Sequence, residues 1–215
     1  MKQIVTACLI AFFIVFAHYH TRAQVNPELQ THAKEKVFQL IDYIEHMVKK
    51  TESNLERLNY RRAALSLFIG GGEPYPFEGD TLDGVKMQTI TVKTDNTKIK
   101  RTRLMKTYFN NLIELDVNLY TEVSIKGTLP NLEALKDPSE MKITPLRTIR
   151  EDTLYQCTIA FGQYFDAKQG EDYVYRDFTQ KKVCVYFSLV PINETSKLIP
   201  FLGDVEAEEA IRNNE

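Results

Sequence analysis

Between residues 27 and 69 the apolar positions Val37, Ile41, Ile44, Val48, Leu55, Leu58, Leu65 and Ile69 recur in alternating steps of three and four, with Thr51 and Arg62 in the two remaining slots. That spacing keeps one side of an α-helix apolar over about forty residues. Asn26-Pro27-Glu28 starts it well, with Asn as N-cap and Pro at the first helical position. Thr51-Glu52-Ser53-Asn54 concentrates poor helix formers and repeats N-cap chemistry midway, which marks a joint. Gly70, Gly71 and Gly72 end the segment, and Glu73-Pro74-Tyr75-Pro76 does not let it resume.

The period then changes. Residues 86–94 and 97–103 are rich in Thr, Val and Ile and flank Asp95-Asn96, so they are expected as two antiparallel strands joined by a two-residue turn. Leu104, Met105, Tyr108, Phe109, Leu112 and Ile113 return to helical spacing and predict a second, short helix. Val117, Leu119, Val123 and Ile125 alternate with polar neighbours, the pattern of a half-buried strand. Residues 127–148 hold Gly127, Pro130, Pro138 and Pro145 without a sustained period and read as a long excursion. Residues 153–165 and 181–192 read as long strands, with 173–178 a shorter strand between them. The fold expected is α+β: helices covering one face of a curved antiparallel sheet.

Composition limits the rest. The chain has 215 residues, 43% of them hydrophobic and 26% charged, which suits a single core. Lys2, the apolar run of residues 4–16 and the small-x-small end Thr21-Arg22-Ala23 predict a signal peptide over residues 1–23 and export to the periplasm or beyond. Cys8 lies inside the apolar run, which argues against lipidation there. Without Lys2 and Arg22, 25 of the 27 bases stand against 29 acids, a net charge of −4. Asp204, Glu206, Glu208, Glu209 and Glu215 against Arg212 account for all of it, so residues 24–203 read as an electrically neutral single domain and 204–215 as an acidic flexible tail. A neutral body disfavours nucleic acid and anionic membrane as partners. Cys157 and Cys184 form an even pair in an exported chain, but strand parity turns one inward and the other outward, against a disulfide.

Three local motifs carry a resemblance: residues 63–69 (AALSLFI), residues 106–112 (KTYFNNL), and residues 173–179 (YVYRDFT) leading into Lys181-Lys182-Val183-Cys184-Val185. With the order of elements, they resemble the secreted nuclear transport factor two-like proteins of Gram-negative gut bacteria, over most of residues 30–192. The resemblance implies a cone of the cystatin-like kind, with a pocket between helices and concave sheet. That superfamily includes isomerases, cyclases, dehydratases and many non-catalytic modules, so fold leaves function open. Tyr108, Tyr155, Phe161 and Phe165 are the expected pocket lining.

Candidate chemistry is sparse. His32 and His46 lie fourteen residues apart on the expected helix, about 20 Å, too far to share a metal, and both fall on its solvated side. The glycine run lacks the strand before it and the Gly-Lys-Ser/Thr after it that a phosphate loop needs. Glu78, Asp80 and Asp83 do not match the ligand spacing of a calcium loop. Lys98, Lys100, Arg101, Arg103 and Lys106 form a basic cluster that reads as a solvated strand face, with an acidic partner segment as the alternative. Asp166 and Asp177 are expected at strand ends in turn roles. No catalytic residue, cofactor or metal is assigned. The function expected is a non-catalytic binding or assembly module of the cell envelope, its partner an unknown protein or a small apolar ligand. The alternative is a small-molecule enzyme of the isomerase, cyclase or dehydratase type, which would carry a buried carboxylate of raised pKa in a cavity. Homodimerisation through the outer sheet face, with Tyr164 and Tyr186 exposed, is a third option.

Overall fold

The computed structural model describes residues 27–77, 80–115, 119–128, 144–145, 155–192 and 195–212. The expected signal peptide, Glu78 and most of the 127–148 excursion lie outside them.

The amphipathic segment is divided into α1 (Pro27–Val48) and α2 (Asn54–Ser66). Ser53 causes the division: its side chain accepts from the Glu56 backbone N–H while the Glu56 carboxylate accepts from the Ser53 N–H, a complete capping box that starts a new helix. The break also rotates the buried face. On α1 the stripe Ala33, Val37, Leu40, Ile44, Met47 and Val48 is buried, whereas on α2 Leu55 and Leu58 are 66% and 38% exposed and Arg57 is buried instead. The single stripe expected across both helices therefore fails after the joint. Arg57 holds the two helices to the third: its Nε donates to the Met47 carbonyl (2.7 Å) and its Nη2 to the Ile113 carbonyl (2.5 Å), satisfying two helix C-terminal acceptors. Gly70, Gly71 and Gly72 all take positive φ, a 3-10 turn that few other residues adopt cheaply.

A small hairpin follows, β1 (Tyr75–Phe77) with β2 (Asp80–Leu82). The main sheet begins with β3 (Lys86–Val92) and β4 (Lys98–Leu104), antiparallel as expected. Their turn is longer than two residues: Asn96 N–H bonds the Lys93 carbonyl, and Asn96 sits at φ 62° to redirect the chain. After α3 (Met105–Ile113) come β5 (Glu122–Thr128), the two-residue β6 (Thr144–Pro145), β7 (Tyr155–Gln169), β8 (Asp172–Ile192) and β9 (Thr195–Arg212). Strand order is β4-β3-β9-β8-β7-β5, with β6 beside β7; β3 and β9 run parallel and the other pairs antiparallel.

Two expectations change here. The short strand at 173–178 and the long one at 181–192 are one continuous strand, β8, entered through the Gly170-Glu171 turn with Gly170 at φ 65°. Residues 204–212 are no flexible tail: they complete β9, which lies between β3 and β8 in the sheet. The carboxylate of Asp204 accepts from the Lys86 N–H at 2.7 Å, and Glu208 pairs with Lys182. Val205, Ala207 and Ala210 are buried while Asp204, Glu206, Glu208 and Glu209 face out, the alternation of a strand with one solvated face.

The helices lie on one face of this curved sheet, α1 against β5 and β9 and α2 against α1 and α3. At Gly127 the two layers come so close that a Cβ would run into Ile41. Phe68, Phe109, Phe161, Phe187, Leu40, Ile44 and Leu202 fill the layer between. Cys157 points into it and Cys184 to the opposite face, and the two are not joined in a disulfide. Burial pushes the Cys157 thiol up to about 12.

Candidate small-molecule site

The inner face of β8 changes character along its length. Val183, Val185 and Phe187 are fully buried; Asp177, Thr179 and Lys181, on the same parity and so on the same face, are also buried. Across the ladder Thr179 faces Gln163, Asp177 faces Phe165 and Lys181 faces Phe161. The space over the polar half is lined by no residue of α1. It is roofed by α3 and walled by β3 and β4, which leaves a cavity of about 310 Å³ between them. Tyr108, Asn111 and Leu112 of α3, Thr89 and Ile90 of β3, Arg103 of β4 and the β7–β8 residues Gln163, Phe165, Tyr175, Asp177, Thr179 and Lys181 line it.

Each polar group has a defined setting. The Tyr175 hydroxyl donates to Asp177 Oδ2 at 2.7 Å. Burial raises the Asp177 pKa above the ordinary carboxylate range, against the pull of that bond and of Lys181. Lys181 is only 3% exposed; its Nζ lies 3.7 Å from the Met87 sulfur and 5.6 Å from the centre of the Tyr108 ring. Burial brings its pKa down to about 8, the Asp177 charge opposing. Desolvation pushes the Tyr108 hydroxyl up to about 12, and a hydrogen bond with Gln163 offsets part of that. The site thus holds an amine and a carboxylic acid displaced toward neutrality from opposite sides, plus two phenols that stay protonated. Such a set can donate and accept protons at a bound molecule.

Of the four residues expected to line a pocket, Tyr108 and Phe165 do so. Phe161 is buried in the apolar core beside the cavity, and Tyr155 begins β7 with its side chain outside the description. Asp177, read as a turn residue, is mid-strand and central to the site; Asp166 is also mid-strand but on the outer face, in a cross-strand ion pair with Arg176 (3.1 Å). Gln163, Thr179 and Lys181 carry no site signal in the sequence, where 173–178 and 181–192 read as separate strands and split Asp177 from Lys181. The continuity of residues 172–192 is the missing signal: on one strand, parity with Val183 and Val185 turns Asp177, Thr179 and Lys181 inward.

The other candidates stay apart. His32 and His46 are both half-buried on α1 rather than fully solvated, and His46 stacks on Tyr60 (4.3 Å between centroids) with Glu52 against its Nδ1. Among the described residues no three His, Cys, Asp or Glu side chains converge on a common point. Of the basic cluster, Lys98, Lys100, Arg101 and Arg103 lie on β4 at the edge of the sheet and Lys106 lies in α3, paired with Glu73; only Arg103 reaches the cavity. On the outer face Tyr164 is 41% exposed and Tyr186 half-buried. No helix of the described residues is long and apolar enough to cross a membrane. Comparison with protein-family models, with curated proteins and with solved structures finds no match to this chain.

Proposed function

We propose that this is an exported protein with a nuclear transport factor two-like cone, which binds one small, largely apolar but oxygenated molecule in the cavity under α3. The convergence of Gln163, Asp177, Thr179 and Lys181, all buried, on one cavity carries this reading. Buried polar side chains destabilise a core unless something satisfies them; here Tyr175 bonds Asp177 and Tyr108 bonds Gln163, and the four also border a space of ligand size. Aromatic and aliphatic walls supply affinity; the polar floor sets orientation. The element order, helices then hairpin, short helix and long strands, supports the cone, and the apolar run of residues 4–16 followed by Thr21-Arg22-Ala23 supports export.

Titration calorimetry with monocyclic and bicyclic phenols, ketones and carboxylic acids tests the site. At least one member binds saturably to the wild type and is lost in Asn111→Phe, whose ring occupies the cavity. Absence of any binding, or binding that survives Asn111→Phe, sinks the reading. Asp177 favours a second reading, in which the protein also does acid–base work on its ligand as an isomerase or cyclase does: a buried carboxylate whose pKa lies above the ordinary range is a better general base near neutrality. Proton exchange at carbon beside the carbonyl of a bound ketone, followed by NMR in heavy water, separates the two. Exchange that stops in Asp177→Asn supports catalysis; no exchange with a saturating ketone leaves a binding protein.

A further inference from the structure

Lys181 is an unusual lysine. It stands on the inner face of β8, opposite Phe161 on one side and Ala207 on the other, so its stem lies in an apolar setting. A buried ammonium ordinarily has a carboxylate against it. Among the described residues none lies within ion-pair distance of Lys181; its neighbours are a thioether and the face of a phenol ring. The same residue lines a cavity with room for a ligand. A desolvated amine without a tight counter-ion, reachable from a pocket, is the condition under which lysine acts as a nucleophile rather than as a charge.

We propose that Lys181 captures the carbonyl group of an aldehyde or ketone ligand as an imine; the proposal rests on the small-molecule reading of this cavity. The lone pair of neutral Nζ forms the new bond to the carbonyl carbon, and the C=O π pair moves to oxygen, which takes a proton to give a carbinolamine. The C–O bond then breaks with a second proton, water leaves, and nitrogen supplies the pair for the C=N bond. The balance is one carbonyl compound plus one ammonium side chain giving one iminium ion plus one water, with no oxidant or reductant. Asp177 stands on the same strand face two inward positions away, with Tyr175 fixing its carboxyl, and serves as the proton donor and acceptor for the dehydration. Gln163 and Thr179, side by side across the ladder, offer hydrogen bonds to the departing oxygen. With an amine pKa of about 8, roughly a quarter of Lys181 is free base at pH 7.5, against roughly one part in a thousand for an ordinary lysine.

Reductive trapping tests this. The full chain is incubated at pH 7.5 with benzaldehyde as probe and sodium cyanoborohydride, which reduces an iminium ion to a stable secondary amine, and the product is mapped by peptide mass spectrometry. The expected result is one benzyl group per chain on Lys181, at least about ten-fold above any exposed lysine such as Lys98 or Lys197, as the free-base fractions require. In Lys181→Arg, which keeps the charge, that label disappears. The wild-type map stands alone if that variant does not fold. Labels spread over exposed lysines with Lys181 unmodified overturn the proposal. If benzaldehyde nonetheless raises the melting temperature saturably, the imine fails and the pocket stands; if it neither binds nor labels Lys181, and the calorimetric panel is also silent, both fail.

Discussion

One strand, β8, carries two opposed designs on a single face. From Val183 to Phe187 its inward side chains are aliphatic or aromatic and belong to the main hydrophobic core; from Asp177 to Lys181 they are charged or polar and open on a cavity under α3. Both stretches are buried, so the contrast is one of chemistry. Burying Val185 and Phe187 stabilises the fold by about 1.5–3 kcal/mol each. Burying Lys181 and Asp177 costs stability, because each is held away from its preferred charge state. A chain tolerates such a cost where activity needs it, and the cavity lies at the costly half.

The apolar half breaks most violently. Ile44→Asp places an unpaired charge opposite that half and should leave the domain unfolded by circular dichroism, at several kcal/mol. Phe187→Ala should cost about 3–5 kcal/mol in urea denaturation through the cavity it opens. Arg57→Ala deprives the Met47 and Ile113 carbonyls of a charged donor, and an equilibrium melt should show a loss of about 2–3 kcal/mol. In the polar half, Asp177→Asn should sharpen the difference. The raised carboxyl pKa makes wild-type stability fall as pH rises from the unfolded value of 3.8 through the folded one. The Asn variant lacks that slope and should be relatively more stable at pH 7 than at pH 3, read as the variant-minus-wild-type melting difference. The smallest effect belongs outside both halves: Leu58→Asp, on the exposed side of α2, should change stability by no more than about 0.5 kcal/mol.

Much of the apolar half was legible in the sequence and little of the polar half. The α1 stripe, the hairpin around Asn96 and the alternation about Val123 are strong periodic signals, and they place helices over a sheet. The joint at Ser53 was legible from cap chemistry, but its rotational consequence was not: only packing shows that Arg57 turns inward while Leu58 turns out. Strand β9 was obscured because its second half buries small residues, Val205, Ala207 and Ala210, between acids, and alanine gives a weak apolar signal. The site was obscured for a related reason. Asp177 reads as a turn residue at a strand end until its strand is seen to continue through Thr179 and Lys181 into Val183 and Phe187, and other walls come from residues between 89 and 120, far away in sequence.

The claim that the polar half is maintained against stability is tested most directly by chemical denaturation of Lys181→Met beside the wild type at pH 7 and pH 10. A lysine whose pKa falls from 10.5 to about 8 on folding destabilises the native state below pH 8 by up to about 3 kcal/mol, a cost that fades as pH climbs toward 10.5. Lys181→Met is therefore expected to be the more stable protein at pH 7, with its advantage largely gone by pH 10. A variant less stable than the wild type at pH 7 would show that Lys181 holds the fold together, and would contradict the account.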